Sequence, residues 1–184
     1  MAHSQRKSKL AAALTLSGFV VAIPAVLVTW FVFTSSEDAR LRLGVSLRGG
    51  QYLGKTGVVL QQGRYDCGAA ALKMVFDHYA IDRPLADFER DLLDRPDGTS
   101  MLRLKEVAES WGFRAEGWRV SPNALTGIPL PSIALLNNRH YVVIESVESP
   151  RAIVYADPVI GRIRMPVERF WLKSNGILLV LNRQ

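Results

Sequence analysis

The sequence has only one cysteine, Cys67, in 184 residues, so no internal disulfide staples the fold. Histidine is nearly as scarce, with only His3, His78 and His140. No close-spaced pair of cysteine or histidine ligands is present, so zinc held by Cys67, His140 and Asp157 is a reading without local support. Internal repeats and low-complexity tracts are absent. A lone thiol is either a small core residue or a reactive group.

Charge is missing altogether from residues 11–33, AAALTLSGFVVAIPAVLVTWFVF. At about 1.5 Å per residue a helix of this length reaches roughly 34 Å, enough to span a bilayer core. A cleaved signal peptide has a shorter apolar core and a small-residue cleavage site, and the chain shows no such site after this run. The expectation is one transmembrane anchor at 11–33, in which Pro24 is tolerable, behind a basic tail at 1–10. Arg6, Lys7 and Lys9 in that tail favour a cytoplasmic N-terminus. The expected topology is single-pass with the domain on the extracytoplasmic, periplasmic side. Arg40, Arg42 and Arg48 beyond the span weaken the charge rule and leave the cytoplasmic side open.

The formal net charge is +6, and half of it comes from the basic tail. The rest of the chain shows no basic stripe of the kind nucleic acid requires. Residues 34–57, with five glycines, read as a juxtamembrane linker. The domain is expected over 58–184. Helical spacing marks CGAAALKMVFDHYA, PLADFERDLL and SMLRLKEVAESWG, with Asp66 placed as an N-cap for the first and Thr99 or Ser100 for the third. The period then changes. FRAEGWRV, SIALLN, HYVVIESV, AIVYAD, RIRMP and ILLVLN are short, β-branched segments bounded by turn residues. Helices first and strands second predict an α+β domain, with a helical layer packed on an antiparallel sheet.

Gly49 with Gly54-Lys55-Thr56 fits the phosphate-loop spacing G-x-x-x-x-G-K-[ST]. That loop needs a helix behind it to aim its positive end at phosphate. The next residues are GVVLQQG, in which Gly57 and the valine pair read as strand. The chain does not alternate strands and helices, so no nucleotide is expected.

Cys67 opens a predicted helix, where the macrodipole favours a thiolate. His140 opens the strand HYVVIESV after the polar turn NNR, whereas His78 lies about three helical turns from the thiol. Asp157 ends the strand AIVYAD, and antiparallel pairing of 140–147 with 152–157 brings it back towards His140. Gln61 precedes the thiol by six residues, where its amide could join the Cys67 N–H in stabilising an oxyanion. Taken singly, each of these residues is ordinary, since a cysteine beside AAAL is commonly core and Asp-Pro is commonly a turn. Trp111, Trp118 and Trp171 suit a core better than a cleft at their spacings.

In QQGRYDCGAAALKMVFDHYA, LPSIALLNNRHYVVIESV and VYADPVIGRIRMPVERFW, the chain resembles the bacteriocin-processing cysteine peptidases, papain-like enzymes that remove double-glycine leaders. The resemblance runs from Val58 to the C-terminus. It implies a papain-like peptidase domain with Cys67 as nucleophile, His140 as base and then acid, Asp157 orienting the imidazole, and Gln61 in the oxyanion hole. It also implies a peptide or protein substrate cut after Gly-Gly or similar small residues, no cofactor, and a peptide exporter as partner. Many members precede a membrane domain and a nucleotide-binding domain, so this chain reads as a stand-alone, membrane-tethered relative. A non-cleaving leader-binding module, and a thiol amidase or transpeptidase of the cell envelope, are the alternatives. The family's usual Tyr-Gly after the cysteine helix is Tyr79-Ala80 here. In the linker, LRGG puts Leu47 ahead of Gly49-Gly50, which raises self-cleavage after Gly50. Gly44 stands there where an apolar leader residue is expected.

Overall fold

All six β-branched segments enter one seven-stranded antiparallel sheet in the computed structural model, which describes residues 26–30, 36–93, 98–148 and 151–183. Two units are distinguished, Met1–Leu43 and Gly44–Gln184. In the first, residues 26–30 are helical and exposed. The rest of the expected 11–33 anchor lies outside the described residues, and no described helix is long and apolar enough to cross a membrane.

After residues 26–30 come α1 (Glu37–Leu47) and β1 (Gln51–Gly54). This corrects the reading of 34–57 as linker. Val45 is buried at the end of α1, and β1 pairs antiparallel with a distant strand. Next comes α2 (Cys67–His78), then α3 (Leu85–Leu92) and α4 (Met101–Ser110). Ser100 caps α4 by accepting the Arg103 N–H at 3.1 Å. Gly112, at φ +90°, ends that helix in a conformation open to glycine. The strands come after it: β2 (Phe113–Arg119), a 3-10 turn (Pro122–Gly127), β3 (Ser132–Leu136), β4 (His140–Glu148), β5 (Ala152–Asp157) and β6 (Gly161–Pro166). A further helix, α5 (Val167–Ser174), which the sequence pattern did not suggest, leads into β7 (Ile177–Arg183). Across the sheet the order is β1-β6-β5-β4-β3-β7-β2.

Val58 and Val59 do not form a strand. They are half-buried against the core in irregular chain between β1 and α2. β-Branched residues there fill space without a neighbouring edge to pair with. The core lies between the helices and the sheet, with Cys67 through Leu72 and Met74 through Phe76 of α2 buried. Phe76 stacks edge-on against Phe88 at 5.3 Å and Trp111 at 5.5 Å, and tilts over Phe113 at 4.5 Å. Truncating such a side chain to alanine costs about 3–5 kcal/mol. α2 is thus fixed on β3 and β4, which sets the position of its first residue.

Candidate active site

Three turns carry the site. The first joins β3 to β4. Asn137 and Asn138 adopt φ +50° and +59°, and the Arg139 N–H donates to the Leu136 carbonyl at 3.1 Å. Two consecutive left-handed residues make a tight hairpin turn that suits asparagine. Leu136 pairs with His140, so the imidazole leaves from the first position of β4.

The second turn joins β5 to β6. Asp157 Oδ1 accepts the Val159 N–H at 2.8 Å and faces His140 Nε2 at 3.0 Å. β4 and β5 are paired neighbours, as the sequence implies. Gly161 closes the turn at φ +116°, and a Cβ there would stand 2.6 Å from the Gly54 carbonyl oxygen.

The third is the loop before α2. Asp66 stands at the N-cap position but does not cap. Its Oδ2 instead accepts the Gln62 and Gly63 N–H groups, both at 2.7 Å. The buried carboxylate therefore folds the loop back on itself. Gln61 donates its backbone N–H to the Pro158 carbonyl at 2.9 Å, which ties this loop to the Asp157 turn. Its side-chain Nε2 donates to the Gly63 carbonyl at 2.7 Å, and its Oε1 is buried without a partner.

Cys67, the first residue of α2, is 7 % exposed. The thiol and the His140 side chain line the same cleft, and negative charge on Cys67 favours the imidazolium. Since Nε2 is engaged by Asp157, Nδ1 is the ring nitrogen left for the thiol. Burial alone would disfavour the imidazolium, but the hydrogen bonds and negative charge of Asp157 and Cys67 outweigh it and raise His140 to about 9. Burial and the charge of Cys67 push the nearby Tyr141 phenol up to about 12, and its hydroxyl donates to the Thr99 carbonyl at 3.2 Å.

Gln61, Cys67, His140 and Asp157 thus line one cleft of about 900 Å³. The side wall formed by Val45 and Arg48 comes from the stretch read as linker. His78 is exposed at the far end of α2, and none of the three tryptophans lines the cleft. Among the described residues no group of three His, Cys, Asp or Glu side chains is arranged to hold a metal ion. Lys55 and Thr56 lie in a turn with no helix after it before α2, so no phosphate loop is formed. The Gly49-Gly50 pair is folded into the turn between α1 and β1. The Gly50 N–H donates to the Val45 carbonyl at 3.0 Å, and the Arg169 side chain lies against Gly49. Intramolecular cleavage there requires that turn to open.

The peptidase C39 family model matches residues 55–184. The chain belongs to the peptidase C39 family. The C39 domain is 31% identical over 136 residues to a probable functional amyloid protease, FapD, of Pseudomonas fluorescens. It is 31% identical over 128 residues to the Lactococcin-G-processing and transport ATP-binding protein LagD of Lactococcus lactis. These matches use 67% and 66% of this chain, and 59% and 18% of the two relatives. Among solved structures it resembles a double glycine motif protease from an AMS/PCAT transporter in complex with the leader peptide, at TM-score 0.65 and 30% identity. That match covers 69% of this chain and 91% of the other. The peptidase domain of Streptococcus ComA matches at TM-score 0.63 and 25% identity, over 68% and 97%.

Proposed function

We propose that the C39 domain hydrolyses peptide bonds through a Cys67 thiolate and a His140 imidazolium. The reading rests on the arrangement in which Asp157 holds the His140 ring in the cleft that Cys67 lines. The helix start stabilises the thiolate, and the imidazolium beside it holds the transferred proton. The sulfur attacks the substrate carbonyl carbon, and the carbonyl electron pair moves onto oxygen. The Cys67 N–H donates to that oxyanion together with the Gln61 Nε2 hydrogen not used by Gly63. As the C–N bond breaks, His140 gives its proton to the leaving amine. Water then attacks the thioester, His140 takes its proton, and departure of the sulfur with the bonding pair releases the acid and restores the thiolate-imidazolium pair. Asp157 holds the ring in position throughout.

The substrate in this proposal is an exported peptide or protein cut after Gly-Gly or similar small residues. The thiol lies on the floor of the cleft beside Thr99 and Tyr141. A substrate carbonyl reaches it most easily when the residue carrying that carbonyl has little or no side chain. Relatives named for lactococcin processing and for a functional amyloid support a secreted substrate. In the same proposal, residues 11–33 tether the domain to the membrane on its extracytoplasmic side, beside a peptide exporter.

The test follows iodoacetamide alkylation of Cys67 against pH, beside cleavage of a Gly-Gly peptide. The expectation is fast alkylation already at neutral pH in wild type, and fast alkylation only in alkaline solution in His140→Ala. The peptide should be cut by wild type and not by Cys67→Ala. Identical alkylation profiles in both proteins, with no cleavage, would overturn the proposal.

A further inference from the structure

Several basic side chains away from the cleft are paired. Arg90, Arg103, Lys105, Arg114, Arg162 and Arg164 each meet a carboxylate. The cleft differs. Arg48, Arg64, Arg139 and Lys173 line it, and none has a carboxylate within salt-bridge distance among the described residues. The one acidic side chain among the described lining residues is Asp157, which is committed to His140 and the Val159 N–H.

Three of the four cations are held near one another by the fold. The Asn137 N–H donates to the Lys173 carbonyl at 2.8 Å, so the last turn of α5 is joined to the hairpin carrying Arg139. Arg169, one turn before Lys173 on α5, donates to the Arg48 carbonyl at 3.1 Å. Burial and the Asp157 charge hold the Tyr155 phenol well above its usual range, and the charge of Arg48 opposes them, so Arg48 stands near that cleft wall. Like charges gathered in a concave site repel one another and focus a positive potential into it. An anion entering the cleft relieves that repulsion.

We propose that Arg48, Arg139 and Lys173 form a subsite for carboxylate side chains of the substrate, so that the C39 domain selects an acidic segment next to its scissile bond. The proposal rests on the peptidase reading only for the identity of the occupant as a peptide. Exposed charges separated by more than a Debye length are screened, so the selection should weaken as salt rises.

The test uses two fluorescein-labelled peptides in which Gly-Gly is followed by several further residues, one with glutamates in the residues before Gly-Gly and one with glutamines at the same places. Binding is measured by anisotropy on full-length chain carrying Cys67→Ala, at low and high salt. Cleavage of unlabelled versions by wild type is measured in parallel. The glutamate peptide should bind about tenfold tighter at low salt, and the ratio should fall towards one in Arg139→Gln/Lys173→Gln. The charge-reversed pair Arg139→Glu/Lys173→Glu should prefer a lysine peptide, a gain that misfolding cannot produce. Equal binding of both peptides, or a preference that survives in the double variants, overturns the proposal. So does equal peptide binding combined with retention on anionic lipid vesicles that the glutamine variant loses, because the basic wall would then face lipid. If neither peptide is cut but the binding preference holds, the subsite stands and the peptidase reading fails. If both are cut and bound alike, the reverse is true.

Discussion

His140 Nε2 lies 3.0 Å from Asp157 Oδ1, and the same carboxylate oxygen accepts the Val159 N–H at 2.8 Å. One oxygen therefore holds both the ring and its own turn, and it helps raise His140 to about 9. Catalysis by a thiolate-imidazolium pair should then decline above about pH 9, as His140 loses its proton. Asp157→Asn removes the charge that favours the imidazolium. The alkaline limb of the kcat/KM profile should move to lower pH, with activity lower by on the order of 10²-fold. An unmoved alkaline limb would mean that Asp157 does not govern the imidazole.

The same shift affects stability. A histidine raised in the folded state contributes stability that is fully present below its unfolded value of about 6.5 and is lost as pH rises through the folded value. Wild type should therefore exceed His140→Gln in unfolding free energy by the widest margin below about pH 6.5. The gap should close by a few kcal/mol, on the order of 3, as pH passes about 9. Urea unfolding across that range measures it.

Asp66 is a second buried carboxylate with a different task. Removing it in Asp66→Ala leaves the Gln62 and Gly63 N–H groups without their acceptor. Gln62 and Gly63 are exposed, so water can take the place of the lost acceptor, and a typical hydrogen bond contributes about 0.5–1.5 kcal/mol net. A loss of roughly 1–3 kcal/mol on urea unfolding is expected, together with reduced activity, because this loop carries both Gln61 and Cys67. Asp66→Asn keeps an acceptor oxygen and should lose less of both.

Gly68 follows the thiol, and a Cβ there would stand 2.4 Å from Thr99 Cγ2 and 3.4 Å from the Tyr141 ring. Overpacking of this kind costs about 1–3 kcal/mol. Gly68→Ala should lower kcat/KM more than it lowers stability, because Thr99 and Tyr141 form the cleft floor. Equal activity in this variant would show that the floor yields freely.

Ala80 occupies φ +57°, the left-handed conformation that favours glycine. Ala80→Gly should stabilise the domain by roughly 0.5–1 kcal/mol, net of glycine's entropy cost. It should leave cleavage unchanged, since the position lies beyond the far end of α2. A thermal melt beside a peptide assay checks both.

Much of this architecture could be read in advance where local pattern and global packing agree. The β-branched run in 140–147 and Asp-Pro at 157–158 place His140 and Asp157 on paired strands without knowledge of the sheet. Cys67 was legible as a helix start, but Gln61, expected at the end of a strand, stands in irregular chain. What escaped was non-local. Residues 51–54 carry no alternating apolar pattern and become a strand only because β6 offers an edge. Asp66 has the position of a cap, and only the folded loop shows that it serves the residues before it. Val58 and Val59 have the residue types of a strand but no partner. The strain at Ala80 cannot be seen in a string of letters, although the departure from the usual glycine marks where to look.

β1 pairs Gln51 with Arg164 and Tyr52 with Ile163 along the outer side of β6, and then slips register before Gly54. The family match begins at Lys55, just after this strand. A chain shortened to that border keeps Cys67, His140 and Asp157, yet it leaves the β6 backbone bare as a template for another molecule's strand. Such a protein should fail by concentration-dependent self-association before it fails in chemistry. For this domain, solubility is a property of four residues that take no part in the cut.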